Sequence, residues 1–258
     1  MAYKDILIYL DASPGADDRL RLAAELGQTH LARLIGVDAS SNDAFLGASA
    51  ERAIQIADRF AEAVRAAGIV GQFVGFDPKD ADSPDYSHCV DFIVTPRPEG
   101  AAKALVRSFI PDQLVMRAGV PVLVLPQEWQ FGPIGQNIVI AWNASREATR
   151  AVHDSMPLLK KAGKVTIFAF SSGRSELKAS ADLLAEHLAR HEVTAHVSDW
   201  TNTGDITAVE ALFADLDTQD ADLIVAGAHG HSRVFEALFG SVSHELLRQP
   251  SLPVLMSH

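Results

Sequence analysis

The chain has 258 residues, 48% of them hydrophobic, a length that suits two domains, each with its own core. Its 33 acidic against 22 basic side chains leave a net charge of −11, which repels nucleic acid phosphates and anionic membranes, so neither is expected as a partner. No apolar run approaches the ~18 residues that span a bilayer, and Met1–Leu10 lacks the basic and apolar regions of a signal peptide.

The elements alternate, and they do so twice. Asp5-Ile6-Leu7-Ile8-Tyr9-Leu10-Asp11-Ala12-Ser13 opens the chain as a buried strand and returns as Asn137-Ile138-Val139-Ile140-Ala141-Trp142-Asn143-Ala144-Ser145, about 132 residues later. Asp91-Phe92-Ile93-Val94 returns as Asp222-Leu223-Ile224-Val225, and Val120-Pro121-Val122-Leu123 as Leu252-Pro253-Val254-Leu255, in the same order and at nearly the same spacing. Such self-similarity marks duplication of one domain. The expected domains are residues 1–126 and 137–258, joined by the proline- and glycine-bearing stretch Pro126–Gln136. In the first half, Asp77–His88 is too short and too rich in proline and aspartate for a full helix. The single cysteine, Cys89, is read as a half-buried packing residue, and the absence of a disulfide partner fits a cytoplasmic setting.

In the second half the order is strand Ile138–Trp142, helix Arg146–Ala162 stopped by Gly163, strand Val165–Phe170 and helix Ser175–His191. Strand Thr194–Trp200, helix Asp205–Leu216 with Gly204 and Asp205 at its start, strand Leu223–Ala226, helix Val234–Arg248 and strand Leu252–Met256 follow. Continuous apolar strands separated by helices predict two α/β domains, each a doubly wound, five-stranded, mostly parallel sheet. The final strands Val120–Leu125 and Leu252–Met256 are expected at sheet edges, where Pro121 and Pro253 are tolerated.

Ligands of such sheets sit beyond the carboxyl ends of the strands, where the connections diverge. Three second-half loops meet that description, after Ala141-Trp142 at Asn143, at Phe170, and from Ala226-Gly227 onward. The last reads Gly227-Ala228-His229-Gly230, then nine residues, then Gly240-Ser241-Val242. Glycines let backbone approach an anion closely, exposed N–H groups bind phosphate without a cation, and Ser241 adds a hydroxyl donor.

At this motif the chain resembles the universal stress protein family, whose pattern Gly-x2-Gly-x9-Gly-Ser/Thr is filled by Gly227, Gly230, Gly240 and Ser241. The resemblance extends over both halves as a tandem arrangement and implies an adenine nucleotide α-hydrolase-like, Rossmann-like fold. It further implies binding of ATP or a related adenine nucleotide, and a role in stress response or signalling with no dedicated catalytic residues. The implied binding residues are Ala141, Asn143, Phe170, Ala226, Gly227, Gly230, Gly240, Ser241 and Val242. Asn143 stands where the family has an aspartate contacting the adenosine, keeping hydrogen-bonding capacity without the charge. Phe170 suits stacking on a base and equally suits core packing. Because single-domain members dimerise through the final strand, the resemblance implies an intrachain pseudo-dimer that can pair further as a homodimer.

The first half departs from the pattern. Asp11 is retained, but Pro96 and Glu99 stand for Gly227 and Gly230, and Ser108–Ile110 has no glycine. Proline has no N–H to donate, and glutamate would oppose a phosphate, so the first domain reads as scaffold or regulator, with Asp11 as a helix cap. His229, His231 and His244 lack acidic or cysteine companions at metal-site spacing, so no metal is expected. Trp142 reads as packing. The alternatives are a nucleotide-hydrolysing enzyme of the related α/β group, against which the loops Asp11-Ala12-Ser13-Pro14 and Asn143-Ala144-Ser145-Arg146 lack the signatures, and a scaffold with no ligand.

Overall fold

The computed structural model describes residues 2–11, 13, 15–38, 50–75, 86–97, 111–126, 129–171, 175–201, 206–228, 242, 246 and 252–258. The chain divides into two compact units, Met1–Gly132 and Pro133–His258.

In the first unit the strands are β1 (Asp5–Leu10), β2 (Arg33–Asp38), β3 (Gly71–Gly75), β4 (Phe92–Pro96) and β5 (Val122–Leu125). They lie in the order β3-β2-β1-β4-β5, and every pairing among them is parallel. The helices are α1 (Ala16–His30), α2 (Ala50–Ala67) and α3 (Pro111–Ala118). Ile6, Leu7, Ile8, Phe92, Ile93 and Val94 are fully buried, as expected of central strands covered on both faces. Tyr86–His88 forms only a short 3-10 turn, and Cys89, expected to be half-buried, is exposed. Its N–H is used by the turn, donating to the Tyr86 carbonyl at 3.1 Å.

The second unit repeats the plan with β6 (Asn137–Trp142), β7 (Lys164–Ser171), β8 (Ala195–Thr201), β9 (Leu223–Gly227) and β10 (Val254–Ser257). Their order is β10-β9-β6-β7-β8, again with parallel pairings. Its described helices are α4 (Arg146–Leu159), α5 (Ser175–Arg190) and α6 (Ala208–Gln219). The helix expected over Val234–Arg248 lies outside the described residues apart from Val242 and Leu246. In each unit the strand order reverses beside the first strand, so β6 with its neighbours β7 and β9 forms the switch point of the second.

One aspartate in each unit fixes the entry to that central strand. Asp91 accepts from the N–H groups of Lys4 at 2.6 Å and Asp5 at 3.0 Å. Asp222 accepts from Gly135 at 2.8 Å and Gln136 at 2.9 Å. Burial raises the Asp222 carboxyl above the usual carboxylate range, and the backbone donors from Gln136, Asn137 and Gly135 work in the opposite direction.

Several boundaries differ from those read in the sequence. Helix α6 begins at Ala208, because Thr207 accepts from the Glu210 N–H while the Glu210 carboxylate accepts from the Thr207 N–H. That capping box satisfies two otherwise orphaned donors and outweighs the Gly204-Asp205 signal. The helix runs on to Gln219, where Asp220 takes a left-handed φ of 52°. Helix α4 ends at Leu159, short of Gly163, as Lys161 and Ala162 tighten the last turn by donating to Leu158 and Leu159. The final strands start after Pro121 and Pro253, whose carbonyls accept from Ile93 and Ile224, both at 3.0 Å. Asp11 caps no helix, for the N-cap of α1 is Gly15.

Among the described residues, no helix is long and apolar enough to cross a membrane.

Candidate functional site

Strand register assembles the second unit's cleft. Ala141 pairs with Phe168 on one side and with Ala226 on the other. Side chains alternate along a strand, so Asn143 and Phe170, two residues further on, continue the same face. The two alanines leave space that the rings of Phe168 and Phe170 wall on one side. Ala208, at the first turn of α6, and Val242 complete this side of a cleft holding about 420 Å³ of unfilled space, part of it open to solvent. Phe168 and Phe170 are buried, at 4% and 7% exposure, which leaves ring faces rather than polar groups as their contribution.

Trp142 also lines the cleft, from the alternate position on β6. Its indole N–H donates to Ser180 Oγ on α5 at 3.1 Å, which anchors the ring from behind. It thus packs, as read from the sequence, and borders the cleft as well.

Asn143 and the start of α4 form one local unit. The Asn143 Oδ1 accepts from the Ser145 N–H at 3.1 Å, and the Ser145 hydroxyl accepts from the Ala148 N–H at 3.1 Å. A small polar residue that turns the chain is followed by an N-cap that satisfies the helix. Helix α4 then passes directly over Gly227. A Cβ at position 227 would overlap the Ala148 nitrogen and the Glu147 carbonyl carbon. Glycine is required there by helix backbone, and no left-handed φ is involved.

Six residues expected at the site, Ala141, Asn143, Phe170, Ala226, Gly227 and Val242, line this one cleft. Gly230, Gly240 and Ser241 lie outside the described residues, as do His229, His231 and His244. The cleft adds Trp142, Phe168 and Ala208. Phe168 was legible as the residue two before Phe170, on the same strand face; nothing in the sequence marks Ala208. No charged side chain lines the cleft among the described residues, and among them no three His, Cys, Asp or Glu side chains are placed to hold a metal ion.

Among the described residues, larger side chains stand at the equivalent place in the first unit. Tyr9, 6% exposed, takes the strand position of Ala141, and Thr95, 1% exposed, that of Ala226. Pro96 ends β4 opposite Leu125 as Gly227 ends β9 opposite Ser257. Asp11 keeps the local turn, accepting from the Ser13 N–H at 3.1 Å, but the same Oδ1 is also taken by the Ser13 hydroxyl and the Arg19 guanidinium.

A doubly wound parallel sheet with a cleft at its switch point defines a Rossmann-like α/β protein. Residues 135–258 match the model of the Universal stress protein family, so the C-terminal half carries a domain of that family. A universal stress protein from Archaeoglobus fulgidus DSM 4304 superposes with a TM-score of 0.71 at 19% identity, over 98% of this chain and 97% of that one. A putative universal stress protein from Pseudomonas aeruginosa UCBPP-PA14 gives 0.60 at 16% identity, over 99% and 93%. A functionally unknown protein from Pseudomonas aeruginosa PAO1 gives 0.59 at 17% identity, over 99% and 92%. Comparison with curated proteins gives no match.

Proposed function

We propose that the second unit binds an adenine nucleotide, ATP or a close relative, and that the chain serves stress response or signalling as a binding module without dedicated catalysis. The observation that carries this reading is the shared cleft of Ala141, Asn143, Phe170, Ala226, Gly227 and Val242, walled by two aromatic rings. Apolar, aromatic walls with a few polar groups suit a purine base. The phosphates are assigned to the glycine-serine segment Gly227, Gly230, Gly240 and Ser241, whose backbone donors can replace cationic side chains.

The first unit, with Tyr9, Thr95 and the Arg19-engaged Asp11 in the matching place, is proposed as a partner domain without ligand. A cytoplasmic location, a tandem domain pair spanning 1–126 and 137–258, and an intrachain pseudo-dimer that pairs further as a homodimer belong to the same proposal. The location rests on the single cysteine, and the domain pair and pseudo-dimer rest on the duplicated sequence.

The test is mass spectrometry of the small molecule released from purified protein by mild denaturation, followed by calorimetry with that molecule. The expected result is an adenine nucleotide at one equivalent per chain. Two equivalent sites, or release of no nucleotide together with no calorimetric binding, would overturn the reading.

A further inference from the structure

Three histidines of the second unit meet where α4 and α5 come together, apart from the residues that line the cleft. His187 stands in the last turn of α5, and His191 follows four residues later, the spacing that puts two side chains on one face of a helix. The helical course lasts long enough for this. The His191 N–H donates to the Leu188 carbonyl at 2.9 Å, and the backbone turns away only at Glu192, whose φ is 67°. The ring centres of His187 and His191 are 4.8 Å apart, and the His153 ring, carried by α4, lies 5.7 Å from that of His187. Within this group the Nε2 of His187 is buried and has no hydrogen-bond partner among the described residues. A buried polar atom left unpaired is costly. Ring packing does not offset that cost, whereas a ligand on the nitrogen does.

We propose that His187 and His191, joined by His153, form a site for a divalent transition-metal ion of the zinc, nickel or copper kind. Zn–N bonds of ~2.0–2.1 Å put two imidazole rings on one tetrahedral ion about 5 Å apart, centre to centre. The observed spacings of 4.8 and 5.7 Å lie on either side of that value. Two histidines four residues apart supply two ligands from one turn, as in helical zinc sites. As they stand, the three rings are not a ready-made ligand set. His153 is exposed, however, so ordinary rotamer motion turns its ring onto an ion held by the other two. The acidic neighbours Asp154 and Glu186 are paired with Arg150 and Arg190, which leaves imidazole as the ligand class. Neutral imidazole suits zinc, nickel and copper, while magnesium and calcium take oxygen ligands. Bound there, the ion clasps α4, which lies over Gly227, to α5, which holds Trp142 through Ser180.

The experiment is calorimetric titration of Zn²⁺ into the chelator-treated chain and into His187→Ala, His191→Ala and His153→Ala, with thermal melts with and without the ion. The double variant His229→Ala/His231→Ala is titrated beside them, to remove the histidines of the glycine-serine segment as competing ligands. The double variant is expected to bind one ion with wild-type affinity. Each cluster variant is expected to lose about tenfold or more, since changes even behind the ligands cost ~10–100-fold. Zn²⁺ is expected to raise the melting temperature of the wild type and not that of His187→Ala. Absence of Zn²⁺ binding by the wild type overturns the proposal. So does affinity undiminished in any of the three cluster variants, or binding lost only in the double variant. If a cluster variant does not fold, Cu²⁺ is added to the double variant and its ligand nitrogens are counted by pulsed electron paramagnetic resonance. Two or three imidazole nitrogens on the ion support the site, and one or none overturns it.

Discussion

The Arg19 guanidinium meets the Asp11 carboxylate at 2.5 Å, and the arginine side chain is only 2% exposed. Burial lowers the Arg19 pKa from its ordinary value and the Asp11 charge opposes that shift, but an arginine remains charged. A residue on α1 thus occupies the carboxylate that ends the first unit's central strand. In the second unit the residue matching Arg19 is Ala151, which is fully buried and makes no such claim on Asn143.

Replacing Arg19 with methionine leaves Asp11 without its cation. Breaking a buried pair from one side costs about 3–5 kcal/mol, and Asp11 is partly solvated, so a loss of roughly 2–3 kcal/mol is expected. Urea unfolding followed by far-UV circular dichroism measures it. An unchanged midpoint would show that the pair contributes nothing net.

Gly227→Ala places a methyl group on the backbone of Ala148 and Glu147, where no flexible side chain can give way. Overpacking of this kind costs about 1–3 kcal/mol, and because α4 must shift, the Asn143 turn shifts with it. Both the melting temperature and nucleotide affinity are expected to drop. A variant as stable as the wild type would show that α4 is more loosely seated than the structure has it.

Ala141→Tyr copies Tyr9 into the second unit. The ring is expected to fill the space between Phe168 and Ala226, abolishing calorimetric nucleotide binding while the protein still unfolds cooperatively. Unreduced affinity would place the ligand outside this cleft.

Asp222 gives a pH signature. Its folded-state pKa is raised by burial, so the folded protein takes up the proton at a higher pH than the unfolded chain does. At pH values above the folded pKa, the charged form carries the burial penalty. As pH falls through the folded pKa toward the unfolded one, that penalty is relieved. Compared with Asp222→Asn, the wild type is therefore expected to gain relative stability between neutral pH and about pH 4. The variant's own loss at neutral pH reflects weakened hydrogen bonds to Gly135 and Gln136, about 1–3 kcal/mol. Paired urea titrations across that range measure both. A wild-type advantage that shrinks on acidification would contradict the raised pKa.

The sequence by itself determined the alternation of strand and helix, the duplication and the strand ends at which a cleft should open. Those features depend on period, on buried apolar runs such as Ile138-Val139-Ile140, and on repeated matches, all local or self-referential. It also named Ala141, Asn143, Phe170, Ala226, Gly227 and Val242, through the glycine spacing and the family pattern that goes with it. Tertiary structure decided what each contributes. Gly227 is glycine because α4 lies on it, a contact between segments about 80 residues apart that no local pattern encodes. Ala208 enters the cleft because Thr207 and Glu210 set where α6 begins. Asp11, legible as a cap, proved to be the partner of a buried arginine, since only the folded chain brings the Arg19 side chain back onto the strand end. The turn that Asn143 makes with Ser145 is, by contrast, a local motif that its residue type favours.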